Sequence, residues 1–144
     1  TLLDNLTPDQ QLQLLFTLDK YGDTAFHDTA LNGHTETMKT LSDNLTPGQQ
    51  LKLVITQDSF GNTALHEAAL NGRTETVKNL LDNLTPEQQL QLFSVLDIAG
   101  KTASQIAAAG KQKETVKMLK KYEQDADFEV NYGKWEHYNV LPEN

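Results

Sequence analysis

The pair His66-Glu67 is the first place in this chain where chemistry suggests itself. A helical His-Glu-x-x-His run sets two imidazoles one turn apart on a zinc ion and keeps the carboxylate as a base. Position 70 is Leu, so the second ligand is missing and no metal site follows. Three Asn-Leu-Thr triplets, at Asn5, Asn44 and Asn83, are formal glycosylation acceptors. Each of their threonines stands just before a proline, where the hydroxyl has a competing task as a helix cap. The carboxylates are spread along the chain as turn and cap residues, with no His or Ser spacing that would set up a nucleophile and its base. Every glycine stands alone in its turn, which is not how a phosphate-cradling loop is built. With no cysteine there is neither a disulfide framework nor thiolate chemistry. The expectation is a non-enzyme with no catalytic residue, no metal and no cofactor.

Charge narrows the partners. The formal net charge is -8 over 144 residues, which repels nucleic acid and anionic membrane across most of the surface. Residues 1–97 hold thirteen carboxylates against five cations, residues 98–121 hold six lysines against Glu114 alone, and residues 122–144 turn acidic again. No apolar run approaches the roughly 18 residues that cross a bilayer. Thr1 in place of Met, with no secretory signal behind it, gives the expectation of a fragment of a longer protein in a cytoplasm.

What must position any functional residue here is a repeat. Asn5-Leu6-Thr7-Pro8, Asn44-Leu45-Thr46-Pro47 and Asn83-Leu84-Thr85-Pro86 recur every 39 residues, as do Gly22, Gly61 and Gly100, and residues 2–40 match residues 41–79 at 24 positions. A period of that size denotes supersecondary units that stack, each burying a face that it cannot bury alone. Within one unit the pattern predicts three helices. The first runs from Thr63 to Leu70 and stops at Asn71-Gly72. The second covers Thr74 to Asn83, with Val77, Leu80, Leu81 and Leu84 on one stripe. The third opens at Thr85, with Pro86 at its first position and Gln88 completing a capping box; Leu90, Leu92, Phe93, Val95 and Leu96 form its apolar side. The strings Asp19-Lys20-Tyr21-Gly22-Asp23-Thr24 and Asp58-Ser59-Phe60-Gly61-Asn62-Thr63 carry the Asp and Gly of a tight turn.

The run from Gly61 to Leu81 resembles an ankyrin repeat, with Ala64 where the family's Thr-Pro-Leu-His has proline. Gly22 to Leu41 matches through Phe26, Thr29 and Met38, with Ser42 the weakest fit. An ordinary ankyrin unit has about 33 residues; this one adds a Leu-Thr-Pro-x-Gln-Gln-Leu helix. Long, nearly identical repeats of this kind resemble the ankyrin arrays of intracellular bacteria, which act on host proteins. The resemblance covers residues 2 to about 121. It implies that His27 and His66 are buried and hydrogen-bonded to backbone. It also implies that arm tips and inner-helix ends line a concave binding face, here Lys20, Tyr21, Asp23, Ser59, Phe60, Asn62, Ile98, Ala99 and Lys101, with Asp28, Asn32, Glu67 and Asn71 close by. Tyr21 and Phe60 are the leading contacts if they face solvent; the alternative is that both pack on the inserted helix.

The third unit departs from the pattern, with Ser104 and Gln105 replacing Leu65 and His66 and Gly110 arriving one position early. Lys111, Lys113, Lys117, Lys120 and Lys121 give it the polar outer face of a terminal unit. Residues 122–144 break the repeat and carry Tyr122, Phe128, Tyr132, Trp135 and Tyr138. They are read as a C-terminal cap or tail, with Asp125, Asp127 and Glu129 on the lysine-rich helix and Phe128 and Trp135 covering the end of the stack.

The fold expected is therefore an all-α solenoid of three extended ankyrin-type units, about 2–40, 41–79 and 80–121, with a capping segment at 122–144. Its expected function is binding another protein, as a monomer, with no nucleic acid and no membrane involved. The cytoplasm is the expected compartment, or a host cell's cytoplasm if the chain is a secreted effector. One alternative makes the array the targeting or spacer arm of a larger enzyme. Another gives the lysines of residues 101–121 an anion or nucleic-acid ligand.

Overall fold

The repeat breaks into short helices because each unit renews its caps. The computed structural model describes residues 5–43 and 45–138. In chain order these form α1 (Pro8–Leu15), α2 (Ala25–Asn32), α3 (Thr35–Ser42), α4 (Pro47–Val54), α5 (Ala64–Leu70), α6 (Thr74–Asp82), α7 (Pro86–Phe93), α8 (Ala103–Ala109) and α9 (Lys113–Tyr138), with no strand among the described residues. The helices α1, α4 and α7 open on Thr7, Thr46 and Thr85. Each hydroxyl accepts the N–H of the glutamine three residues on, and that glutamine's side chain accepts the threonine's N–H. Reciprocal caps of this kind are worth about 1 kcal/mol each. A second set opens α2 and α5, where Thr24 and Thr63 pair in the same way with His27 and His66.

The second glutamine of each Gln-Gln pair does something else. Gln89 Nε2 donates to the carbonyls of Leu81 at 2.8 Å and Leu84 at 3.5 Å. Gln50 does the same to Ser42 and Leu45, and Gln11 donates to Leu6 O at 3.2 Å. Carbonyls at a helix end have no partner within the helix. These amides add a side-chain donor, beside the backbone N–H groups of Leu45 and Leu84 that also reach Ser42 O and Leu81 O, and thereby rivet the inserted helix to the unit before it.

Stacking then follows from the apolar stripes. Helix α5 packs on both α2 and α8, α6 packs on α3 and α9, and α9 also lies along α7 and α8. Met38, Leu53, Leu65, Leu81, Leu92 and Leu119 are fully enclosed, and the expected stripe of Val77, Leu80, Leu81 and Leu84 is buried throughout. The inserted helix is shorter than its apolar letters suggest. It ends at Phe93, which leaves Val95 and Leu96 in the following loop and Leu96 about half exposed. Polar ties register successive units: Thr35 Oγ1 lies 3.0 Å from Thr76 Oγ1 and Thr74 Oγ1 lies 3.2 Å from Thr115 Oγ1. Arg73 Nε reaches Leu31 O and Gln112 Nε2 reaches Leu70 O.

Two departures concern the third unit. The left-handed position after the first helix belongs to Gly33 and Gly72 in the first two units, but Lys111 holds it in the third, with φ at +59°. The early Gly110 stays at φ -81°. Stacking register therefore overrides the local preference of glycine. The boundary drawn at 121/122 falls inside α9, which continues unbroken to Tyr138. Ala126 is buried and the Tyr122 hydroxyl donates to Asp82 at 2.6 Å. Asp125 approaches Lys121 of its own helix at 4.0 Å. Phe128 is 59 % exposed and stacks on Tyr132, so it does not cover the end of the stack. The side chain of Trp135 lies outside the described residues, as do residues 1–4, Asn44 and residues 139–144.

Candidate functional site

The turns between units form a ridge built from one repeated device. Asp19 Oδ1 accepts the N–H groups of Tyr21 and Asp23, Asp58 Oδ1 those of Phe60 and Asn62, and Asp97 Oδ1 those of Ala99 and Lys101. Each carboxylate thus shapes a four-residue loop closed by a glycine at φ 76–79°. Glycine is required at Gly61 twice over, because a Cβ there would also stand 2.7 Å from the backbone N of Ile98. Neighbouring turns join through the main chain. The carbonyl of Tyr21 accepts both the N–H and the hydroxyl of Ser59, at 2.8 and 2.6 Å, and the carbonyl of Phe60 accepts the N–H of Ile98 at 2.9 Å.

The histidines brace this ridge from beneath. His66 Nδ1 accepts the N–H of Thr63 at 3.1 Å, which leaves Nε2 protonated to donate to Lys101 O at 3.1 Å. His27 makes the same pair with Thr24 N and Asn62 O. Both are 1 % exposed, as the resemblance implied. Burial holds the His66 imidazole below its usual pKa of 6.5, so the neutral form serves as a fixed connector.

The residues expected to bind divide in two. Tyr21, Phe60 and Ile98 are 49, 56 and 79 % exposed, an apolar row on three consecutive turns, with the Lys20 ammonium 5.0 Å above the Tyr21 ring. The rings therefore face solvent and are free to be contacts. Ser59, Asn62 and Lys101 all lend backbone or hydroxyl groups to the scaffold; the side chain of Lys101 remains exposed, while Asn62 is half-buried. Asp28, Asn32 and Asn71 are exposed, the two asparagines at the C-terminal ends of α2 and α5.

Sequence reasoning missed one thing here: the carboxylates are not spread evenly. Asp19, Asp23, Asp28, Asp58 and Glu67 converge where the first two units meet, close enough that each of Asp23 and Glu67 feels the field of several others. Asp23 Oδ1 is sealed from solvent without a hydrogen-bond donor; its neighbour is the Asp58 carboxylate, so a bond between them needs a shared proton. Burial, then Asp58, pushes Asp23 from 3.8 to about 7. Burial and Asp58 likewise push Glu67 from 4.5 to about 7. Among the described residues none of the five is ion-paired with a cation. The available signal was the variation at fixed register: Asp23 becomes Asn62 and then Lys101, and Asp28 becomes Glu67 and then Ile106.

Asp23, His27 and Asp58, and separately Asp19, Asp23 and Asp28, each bring three ligand atoms within 4.8 Å of one another. Both nitrogens of His27 are already engaged with backbone, so the first trio offers a metal only two carboxylates. Lys111, Lys113, Lys117 and Lys120 line an open groove with Ala108 and Val116. Among the described residues no helix is long and apolar enough to cross a membrane.

The family model for ankyrin repeats matches residues 6–91, in three copies. Helices α8 and α9 lie beyond the matched residues. No curated protein matches the chain. Ankyrin repeats are generally protein–protein interaction modules and are typically non-catalytic.

Proposed function

From the chain's membership of the ankyrin repeat family, we propose that it is a binding module that holds a partner protein on its ridge of turns and the adjoining helix ends. The observation that carries this reading is the row of Tyr21, Phe60 and Ile98, exposed on turns that are themselves locked by Asp19, Asp58 and Asp97. Exposed aromatic side chains on a rigid platform offer large contact area at low entropic cost. A prearranged surface also lowers the ordering cost of association. The acidic junction between the first two units favours a basic or mixed-charge partner surface.

We read the module as a monomer with no catalytic role of its own. We place it in a cytoplasm, or in a host cell's cytoplasm if it acts as an effector, on the resemblance of its long, near-identical repeats to ankyrin arrays of intracellular bacteria. The test is affinity capture from a host-cell lysate, comparing the chain with a variant carrying Tyr21→Ala, Asp23→Ala, Phe60→Ala and Asn62→Ala after matching their circular dichroism and melting curves. A partner held by the first and lost by the second supports the ridge. Capture that survives the four substitutions moves the working surface to α9 or the lysine groove.

A further inference from the structure

The fold needs Asp19, Asp58 and Asp97, because each organises its turn. It does not need Asp23, Asp28 or Glu67. The same positions in other units hold Asn62, Lys101 and Ile106 with the turn and helix unchanged. Three carboxylates beyond the needs of the scaffold therefore stand at one junction, next to two exposed rings, and none has a cationic partner among the described residues.

We propose that this junction docks an extended partner segment carrying one arginine between apolar side chains, the guanidinium meeting Asp23, Asp28 and Glu67 and the apolar neighbours lying on Tyr21, Phe60 and Ile98. The inference rests on the reading of the ridge as a binding surface and specifies what that surface selects. Arginine fits better than lysine because its planar fork bonds carboxylates two at a time, stacks on aromatic faces and is less strongly hydrated. The third unit cannot take the same residue, since Lys101 and Ile106 stand where the acids would be. The segment accordingly has one arginine in register with units 1 and 2 and only an apolar contact at Ile98.

Binding of this kind moves protons. Around neutral pH Asp23 and Glu67 are part-protonated, because burial and mutual repulsion resist their ionisation. A guanidinium favours the ionised form, so docking expels protons and affinity rises with pH. The groups around the junction are Asp19, Asp58 and Lys20 on the turns, His27 and Asp28 on α2, and His66 and Glu67 on α5, with Asp97 and Lys101 on the next turn. The histidines stay tied to backbone, which leaves the two half-buried carboxylates to change state.

The experiment is fluorescence anisotropy of the full chain, in EDTA, with capped octapeptides whose central arginine, citrulline or glutamate is flanked by leucine and tyrosine. The arginine peptide should bind at least about tenfold more tightly than citrulline, the loss of one charge-assisted contact. Its affinity should rise by up to about tenfold from pH 6 to pH 8 for each proton displaced. Asp23→Asn with Glu67→Gln should remove both the preference and the pH dependence; the shapes are kept, and unit 2 already carries Asn62 at the first position. Equal binding of arginine and citrulline peptides, with both lost in Phe60→Ala, would sink the arginine assignment while leaving the ridge intact. Failure of every peptide to bind overturns the proposal, and so does a melting temperature raised by calcium with no peptide preference, which would give the carboxylates to a metal.

Discussion

Single residues decide the ridge in two ways, by backbone shape and by charge. Gly61 and Gly100 have nearly the same left-handed φ, +78° and +76°, but only Gly61 has a neighbour in the way of a Cβ. Gly100→Ala should therefore cost about 1 kcal/mol for the conformation alone. Gly61→Ala should cost about 2–3 kcal/mol, because the turn of Ile98 must also shift. Denaturant midpoints of the two variants make the comparison. The charges have a signed consequence. Asp23 and Glu67 titrate at about 7 in the folded chain, against 3.8 and 4.5 when free. The folded form then holds protons that the unfolded form has released. Their contribution to stability is full at the acid end and is lost as pH rises through about 7. His66 runs the other way, its contribution being complete above 6.5 and lost on acidification below that value. Between pH 6.5 and 8 the carboxylates dominate, so the melting temperature should fall across that interval. Asp23→Asn with Glu67→Gln should raise it at pH 8 and flatten the slope.

Among the elements, the inserted helix is what sets this array apart from the ordinary period. Its start was legible letter by letter, since Thr85, Pro86 and Gln88 write out a capping box. Its attachment was not, because the bonds from Gln89 to Leu81 and Leu84 span eight and five residues and depend on how α6 ends. Gln89→Ala should take the side-chain donor from Leu84 O and leave Leu81 O with backbone N–H groups such as that of Leu84 at 3.1 Å, lowering stability by about 1 kcal/mol. Gln91→Ala, on the exposed side of the same helix, should change it by no more than about 0.5 kcal/mol. Chemical denaturation of both variants checks the contrast.

For the whole molecule the open question of stacking is how the C-terminal end is closed. We propose that residues 122–144 contribute to that closure, with the first part doing so as the continuation of α9. Tyr122 bonds Asp82 across to α6 and Ala126 is enclosed, while α9 lies along α7 and α8. Deleting residues 122–144 should lower the melting temperature by several degrees, as removal of about 1–2 kcal/mol does in a domain of this size. An unchanged curve would make the segment a free tail.

The period, the helical class and the caps of the inserted helices could be read from the letters, because they depend on contacts within a few residues or on strict recurrence at 39; the two buried histidines were implied by the family resemblance, since their Nε2 bonds reach 35 residues along the chain. Burial and convergence could not be read from the letters. Leu14, Leu53 and Leu92 hold the same register, yet the first is 44 % exposed and the other two are 1 % exposed. A leucine in a stack is covered by the unit against which it lies, and Leu14 has no preceding unit among the described residues. Lys111 likewise takes a glycine's conformation because its neighbours fix the backbone there. The carboxylate junction follows the same logic. Asp23 and Glu67 are 44 residues apart in the chain, and only the stacking of one unit on the next brings their charges together and takes them out of water.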